Sequence, residues 1–264
     1  MTTCGEFLVK QLEAWGVDTV FGIPGVHTVE LYRGLPGSGI RHVLTRHEQG
    51  AGFMADGYAR VSGKPGVAFI ITGPGVTNVA TAIGQAYADS IPMLVISSVN
   101  HTASLGKGWG CLHETQDQRA MTAPITAFSA VALSAEDLPE LIARAYAVFD
   151  SERPRPVHIS VPLDVLANPV ARDWTHEVVR RAGRGQPSAD ALKQAVDKLQ
   201  AAQRPMIIAG GGALHAADAL AALSERLAAP LFTSVAGKGL LAPEAPLSAG
   251  ATLCTQAGWD TVSY

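Results

Sequence analysis

The 264-residue chain has few cysteines, no excess of charge of one sign and no long hydrophobic run. Its three cysteines lie far apart, at positions 4, 111 and 254, and form neither a disulfide framework nor a CxxC zinc motif. Lysine and arginine (20) nearly balance aspartate and glutamate (23), which argues against a nucleic-acid partner. No apolar run approaches the roughly 18 residues that span a bilayer, and no basic leader precedes one. We therefore expect a cytoplasmic protein with no membrane partner.

Glycine and proline are abundant (27 and 16 residues), and they separate alternating strand and helix patterns. The apolar runs Val67–Ile71 and Pro92–Val99 are typical of strands that are buried on both faces. Helical patterns separate the strands, the clearest being His47–Val61 and Val76–Ala88. This alternation predicts an α/β fold with a doubly wound parallel sheet, because strands joined through helices form right-handed crossovers.

A change in composition divides the chain into three parts. Residues 1–167 contain most of the alternation, and residues 168–188 are polar and rich in Arg, Gly and Pro, which predicts a linker. Residues 189–264 open a second α/β unit, with strand patterns at Met206–Ala209 and Leu231–Thr233. This unit is short for a complete domain. We therefore expect it to be the first part of a Rossmann-like domain.

Three glycine turns follow predicted strands, at positions 22–25, 73–75 and 210–212. In open parallel sheets, ligands bind at the carboxyl ends of the strands, where glycine lets the backbone approach them closely. The alternative is that each turn is only a tight strand–helix connection. The second turn resembles a dinucleotide fingerprint, but Asn78 stands where the third glycine belongs. The sequence gives a nicotinamide site little support.

Glu48 is the most informative single residue, since it begins a predicted helix just after the strand pattern Ile40–Leu44. Its neighbourhood is apolar and rich in glycine. One interpretation is an acid in the first helical turn that interacts with the helix dipole. The other is a carboxyl that shares a proton with a bound nitrogen heterocycle. Position alone leaves both open.

Four segments together carry one recognisable pattern over about 165 residues. They are Phe21-Gly22-Ile23-Pro24-Gly25, Arg46–Arg60, Thr72-Gly73-Pro74-Gly75-Val76-Thr77-Asn78 and Pro156–Val165. This pattern resembles the thiamine-diphosphate (ThDP)-dependent enzymes of the acetolactate synthase and 2-oxo acid decarboxylase type. Pro205–Gly212 is more weakly similar to the entry of that family's middle domain. The resemblance implies that residues 1–167 bind the pyrimidine of ThDP and that residues 189–264 are the N-terminal half of a middle domain.

The resemblance also implies roles for five residues. Glu48 would hydrogen-bond N1′ of the aminopyrimidine, which prepares the cofactor to attack the carbonyl of a 2-oxo acid. Thr72, Gly73 and Asn78 would line the pyrimidine pocket. Gly25 would face the substrate.

The segment Gly106–Gln118 distinguishes between subfamilies. Acetolactate synthases usually carry Phe-Gln-Glu where this chain has Leu-His-Glu at 112–114, and Thr-Lys-His where it has Thr-Ala-Phe at 126–128. The segment is more similar to decarboxylases of 2-ketoarginine (5-guanidino-2-oxopentanoate). This similarity makes His113 a candidate catalytic proton donor, and Glu114 and Asp117 could bind the guanidinium of the substrate. The alternatives are a buried polar histidine and two solvated loop acids.

The chain lacks the Gly-Asp-Gly … Asn-Asn motif with which this family holds diphosphate and Mg²⁺ in a C-terminal domain. We therefore expect an N-terminal fragment without a metal site, inactive by itself, from a homodimeric or homotetrameric decarboxylase. FAD in the middle domain is possible, but these residues give it no support. Two alternatives remain: an acetolactate synthase-type carboligase acting on pyruvate, and a non-catalytic module that self-associates without cofactor.

Overall fold

The computed structural model describes residues 1–151, 153–170 and 185–263, with side chains up to residue 260. The chain divides into two compact units, Met1–Gly185 and Gln186–Tyr264. Most of the predicted linker, positions 171–184, lies outside the described residues. Within the described ranges, every helix is too short or too polar to cross a membrane.

The first unit is built on a parallel sheet of six strands. These are β1 (Thr19–Gly22), β2 (Arg41–Leu44), β3 (Gly66–Ile70), β4 (Met93–Val99), β5 (Phe128–Val131) and β6 (Val157–Pro162). Their order in the sheet is β2-β1-β3-β4-β6-β5. Every residue of the four inner strands β1, β3, β4 and β6 is buried, because helices cover both faces of the sheet. The predicted doubly wound α/β fold is confirmed.

The described residues of this unit form seven α-helices. They are α1 (Cys4–Ala14), α2 (Val29–Arg33), α3 (Glu48–Ser62), α4 (Pro74–Asp89), α5 (Gln118–Thr122), α6 (Asp137–Ser151) and α7 (Leu163–Ala167). Successive residues of β3 point to opposite faces of the sheet and pack in separate hydrophobic cores. Phe69 belongs to one apolar cluster, and Ala68 and Ile70 belong to the other. Thr3 and Glu6 form a capping box that starts α1.

Some observed elements of this unit differ from the sequence patterns. The segment after the first glycine turn begins as a 3₁₀ turn, Val26–Thr28, before α2 follows it. The pattern did not predict β5 or α5. β5 lies at the edge of the sheet, where three of its four residues are only half-buried. An edge strand of this kind lacks the continuous apolar run that marks β3 and β4.

The second unit contains a smaller parallel sheet in the order β7-β8-β9, formed by Ile207–Ala209, Leu231–Thr233 and Ser248–Gly250. Its helices are α8 (Ala189–Ala201), α9 (Ala217–Leu227) and α10 (Gln256–Ser263). Leu231 and Leu240 are buried in its small core. A parallel sheet flanked by helices agrees with the predicted first part of a Rossmann-like domain.

Candidate active site

The carboxyl ends of β1 and β3 lie side by side in the larger sheet, where the direction of winding changes. From β1 the chain continues to β2 on one side, and it then returns to β3 on the other. Open parallel sheets bind ligands at such a point. The glycine turns at 22–25 and 73–75 follow these two strands, so the fold brings them together.

Gly25 lies in the first turn and is held in place by Thr28. The backbone N–H of Gly25 donates to Thr28 Oγ1 at 2.9 Å, and the hydroxyl donates back to the Gly25 carbonyl at 3.1 Å. A Cβ at Gly25 would lie only 2.8 Å from Cδ1 of Ile71, which follows β3. The absence of a side chain at position 25 therefore lets the two turns pack together.

Glu48 is the first residue of α3, and its carboxylate is hydrogen-bonded to α4. Its Oε2 accepts a hydrogen bond of 2.9 Å from Nδ2 of Asn78. Glu48 is half-buried, and its second carboxylate oxygen has no hydrogen-bond partner within the described part of the chain. The N-terminus of α3 stabilises its negative charge. One oxygen is thus held by Asn78, and the other is available to a ligand.

Gly75 keeps the space beside Glu48 open. A Cβ at this position would lie 2.6 Å from Cγ2 of Ile71 and 3.5 Å from Cγ of Glu48. Position 75 therefore requires glycine for close packing, with no need for an unusual backbone angle.

Thr72 and Gly73 begin the second turn, directly after β3. Thr72 is fully buried, and its hydroxyl donates to Ser98 Oγ at 3.0 Å. Gly73 has a positive φ of 62°, and a Cβ there would collide with the carbonyl of His113. Glycine is therefore required at position 73 for both backbone conformation and space.

A buried polar network lies beneath the second turn. Gln118 accepts a hydrogen bond from the Gly73 N–H at 2.8 Å and donates to Ser97 Oγ, at 2.8 Å, and to Ser160 Oγ, at 3.0 Å. The Ser97 hydroxyl lies 2.7 Å from Nε2 of His158. Burial lowers the pKa of His158 to about 3, which keeps its imidazole neutral at physiological pH. The network therefore supports the turn without placing a charge in the core.

His113 lies against the Gly73 turn in a left-handed backbone conformation, with φ of 58°. Asn100 holds the preceding residue, because its Nδ2 donates to the Leu112 carbonyl at 2.8 Å. The His113 ring contacts the ring of His27, with centroids 5.4 Å apart and planes at 61°. A left-handed conformation at a non-glycine residue is uncommon and often occurs at functional sites.

The carboxylate of Glu114 is used within its own loop. It accepts hydrogen bonds from four backbone N–H groups, those of Gly108, Trp109, Gly110 and Cys111, at 2.6–3.3 Å. Partial desolvation raises the pKa of Glu114, but the four amides outweigh that effect and hold the pKa below its usual value. The residue therefore shapes the loop at 108–114 as an ionised group.

Asp117 caps α5 and is largely exposed. It accepts a hydrogen bond from the backbone N–H of Ala120 at 2.9 Å, and it lies 3.8 Å from the Arg119 guanidinium. Asp117 and Glu114 both line a cavity of about 330 Å³. The structure thus places the two predicted substrate residues at one cavity, each already engaged by local partners.

Sequence reasoning missed two residues of this region, Gln118 and His27. Gln118 is 3% exposed and His27 is 7% exposed, although both are polar. A signal for the network exists in the sequence, because Ser97, Ser98 and Ser160 interrupt otherwise apolar strands. No local pattern indicates that Gln118 pairs with them.

The donor set fits an aminopyrimidine. The free carboxylate oxygen of Glu48 can share a proton with a ring nitrogen, and Gly73 and Gly75 leave room beside it. Over the described ranges, no group of three or more His, Cys, Asp or Glu side chains is arranged to hold a metal ion. Fold and site together define an α/β module that is suited to binding one end of a heterocyclic cofactor.

Two family models match the chain in order. "Thiamine pyrophosphate enzyme, N-terminal TPP binding domain" matches residues 2–121, and "Thiamine pyrophosphate enzyme, central domain" matches residues 192–261. The chain belongs to the family of thiamine-diphosphate-dependent enzymes. The first match places Glu48 and the glycine turns at 22–25 and 73–75 in the TPP-binding domain of that family.

Curated relatives include one probable decarboxylase and several acetolactate synthases. The chain is 80% identical over 261 residues to the "Probable 2-ketoarginine decarboxylase AruI" of Pseudomonas aeruginosa, covering 99% of this chain and 47% of the relative. It is 35% identical to the acetolactate synthase isozyme 1 large subunit of Escherichia coli (94% and 44% covered). It is also 35% identical to the mitochondrial acetolactate synthase catalytic subunit of Saccharomyces cerevisiae (93% and 37% covered). The chain thus spans about half the length of the curated relatives it matches, or less.

Proposed function

We propose that the protein containing this chain catalyses the ThDP-dependent, non-oxidative decarboxylation of a 2-oxo acid, with 2-ketoarginine as the leading substrate. The observation that carries the proposal is the Glu48–Asn78 pair, which lies beside Gly75 of the turn after β3 and leaves one carboxylate oxygen free. The 80% identity to the Pseudomonas aeruginosa relative supports the choice of substrate.

Bound ThDP would supply a carbon nucleophile and an electron sink for the electrons that departing CO₂ leaves behind. Glu48 shares a proton with N1′ of the aminopyrimidine, and Asn78 fixes the orientation of the carboxylate. Gly73 and Gly75 let the ring approach closely. We expect Mg²⁺ and the diphosphate to be held by residues outside the described ranges, as the family resemblance implies.

Four other site residues are proposed to act on the substrate side. Gly25 leaves room for the 2-oxo acid, and His113 supplies the proton that replaces CO₂ on the substrate carbon. Glu114 and Asp117 attract the guanidinium of the substrate into the cavity that both residues line. In this arrangement Glu114 contributes charge while its loop amides hold it in position.

The test uses the holoenzyme that contains this chain, supplied with ThDP and Mg²⁺. We expect CO₂ and 4-guanidinobutanal from 2-ketoarginine, and we expect Glu48→Gln to lower the rate by about 10²- to 10⁴-fold. Glu140→Gln, an exposed glutamate on α6, is the matched control and should keep full activity. Acetolactate formed from pyruvate, without decarboxylation of 2-ketoarginine, would instead support the carboligase alternative.

We also propose a cytoplasmic homodimer or homotetramer. Phe53 and Met54 on α3 are 42% and 47% exposed, and Leu44 at the end of β2 is 58% exposed. Large apolar side chains beside a binding site are typical of a surface that a second copy covers. Sedimentation should show an oligomer that Phe53→Glu weakens, whereas Val61→Glu, at an exposed position near the end of the same helix, should not. A monomer at micromolar concentration contradicts this part of the proposal.

A further inference from the structure

His27 is a buried histidine with an unpaired nitrogen, and it lies outside the set of residues assigned above. It sits in the 3₁₀ turn after β1, two residues beyond Gly25, and is only 7% exposed. Its Nδ1 is buried and has no hydrogen-bond partner among the residues that the structure describes. Leaving such an atom unpaired costs about 1–3 kcal/mol. A core histidine kept for stability alone would be expected to satisfy both ring nitrogens, as His158 does.

His113, whose ring packs edge-on against that of His27, also has a buried ring nitrogen, Nδ1, without a hydrogen-bond partner in the described part of the chain. Two unpaired imidazole nitrogens therefore lie together between the Gly25 and Gly73 turns. The contact between the two rings joins the turn at Gly25, which is proposed to face the substrate, to His113, which is proposed to supply a proton.

The surroundings keep His27 neutral. Burial lowers the pKa of His27, and the neighbouring His113 and His101 lower it further. His27 also lines a cavity of about 370 Å³, in which the other ionisable residues are Glu30 and His101. A neutral imidazole carries one N–H donor and one acceptor nitrogen. It can therefore bind an oxygen of an acidic ligand without an ion pair.

We propose that His27 is a second substrate-side catalytic residue, whose ring N–H donates a hydrogen bond to the 2-oxo oxygen of the substrate while His113 serves the neighbouring carbon. The inference rests on the proposed function. Negative charge grows on that oxygen when the carbonyl carbon is attacked, and a fixed donor stabilises such charge more strongly than it stabilises the ground state. His27 should accordingly affect kcat more than KM.

The first test compares His27→Leu and His27→Asn in the holoenzyme. We expect His27→Leu to lower kcat for CO₂ release by about 10²- to 10³-fold, the effect of removing one such donor. His27→Asn keeps an N–H donor and should recover at least tenfold of that loss. His215→Leu removes an exposed histidine of the second unit and should leave kcat unchanged. Equal rates for wild type and His27→Leu overturn the inference.

A second set of measurements excludes a merely structural role. Because His27 Nδ1 has no partner to lose, the melting temperature of His27→Leu should equal or exceed that of wild type. The Kd for ThDP, measured by calorimetry, should stay within threefold. A lower melting temperature or a weaker Kd for ThDP that accompanies the loss of activity overturns the inference, since His27 would then support the fold or the cofactor site.

The proposed function and this inference fail in different ways. If wild-type holoenzyme releases no CO₂ from 2-ketoarginine, the proposed function is wrong. His27 is then judged by calorimetric binding of 2-ketoarginine and pyruvate, whose Kd should weaken at least tenfold in His27→Leu. An unchanged Kd, or binding of neither acid to wild type, overturns the inference.

Discussion

The backbone N–H of Gly73 donates a hydrogen bond of 2.8 Å to the side-chain oxygen of Gln118, 45 positions further along the chain. This bond ties the turn after β3 to the start of α5. The same amide group reaches Ser97 and Ser160, so one side chain connects the glycine turn with β4 and β6. The geometry of the candidate active site therefore depends on a residue that need not touch any ligand.

Gln118→Ala should destabilise the protein markedly. It leaves the buried Gly73 N–H without a partner, which costs about 1–3 kcal/mol, and it removes one hydrogen bond each from Ser97 and Ser160, which keep His158 as a partner. We expect the free energy of unfolding in urea to fall by about 2–4 kcal/mol. Gln85→Ala, at an exposed position on α4, should change it by less than about 0.5 kcal/mol. Equal effects of the two substitutions would show that the network contributes nothing.

Gly73→Ala should cost more stability than Gly63→Ala. Both glycines have positive φ, 62° and 71°, which strains an alanine. Gly63 lies in the left-handed helical region, where the penalty is about 1–2 kcal/mol, whereas Gly73, with ψ of −103°, lies outside it in a conformation that non-glycine residues rarely adopt. Only at Gly73 does the new Cβ meet another atom, the carbonyl of His113, whereas nothing lies within 4 Å at Gly63. We expect urea unfolding to show an additional loss of about 1–3 kcal/mol at Gly73. A smaller loss at Gly73 than at Gly63 would contradict the close approach.

Two glycines of α3 should respond to alanine in opposite directions. A Cβ at Gly52 would lie 2.5 Å from Cβ of Ala82 and 2.8 Å from Cγ2 of Val79, both on α4. Gly57 has no atom within 4 Å of the same position. Gly52→Ala should destabilise by about 1–3 kcal/mol through overpacking. Gly57→Ala should stabilise by about 0.5–1 kcal/mol, because alanine has the higher helix propensity. Thermal melts of the two variants give the sign directly, and a stabilising Gly52→Ala would exclude tight α3–α4 packing.

The protein should become less stable as the pH drops below 6.5, because His158 is buried in its neutral form. Burial lowers its pKa from 6.5 to about 3 in the folded protein, so below pH 6.5 the unfolded chain binds a proton that the folded protein does not. Its contribution to stability is complete above pH 6.5 and is lost toward pH 3, at up to about 1.4 kcal/mol per pH unit.

His158→Gln tests the origin of this pH dependence. Glutamine does not titrate, so the stability deficit of the variant at pH 7.5 should shrink at pH 5, where wild type has lost part of its own stability. Urea unfolding at the two pH values measures both deficits. A deficit of constant size would show that His158 is not the titrating group.

Local sequence patterns predict a large part of this protein. The apolar runs of β3 and β4, the glycine turns and the helix that follows Glu48 are all visible within windows of five to fifteen residues. These patterns predict the doubly wound sheet. The motif around Glu48 predicts the enzyme family that the family model confirms. Edge strand β5 is not predicted, because its side chains are only partly buried.

Contacts between distant residues belong to the tertiary structure. Ser97 and His158 are 61 positions apart, and Gly73 and Gln118 are 45 apart, so no local pattern pairs them. Likewise, His27 contacts His113 only in the folded chain. Four backbone N–H groups donate hydrogen bonds to the carboxylate of Glu114 only when its loop has folded. The sequence by itself determined the alternation of elements and the residue types at the sheet edge, because both depend on short-range periodicity and backbone freedom. The tertiary structure decided which nitrogen and oxygen atoms have no hydrogen-bond partner, because buried polar atoms find their partners on strands and turns from remote parts of the chain.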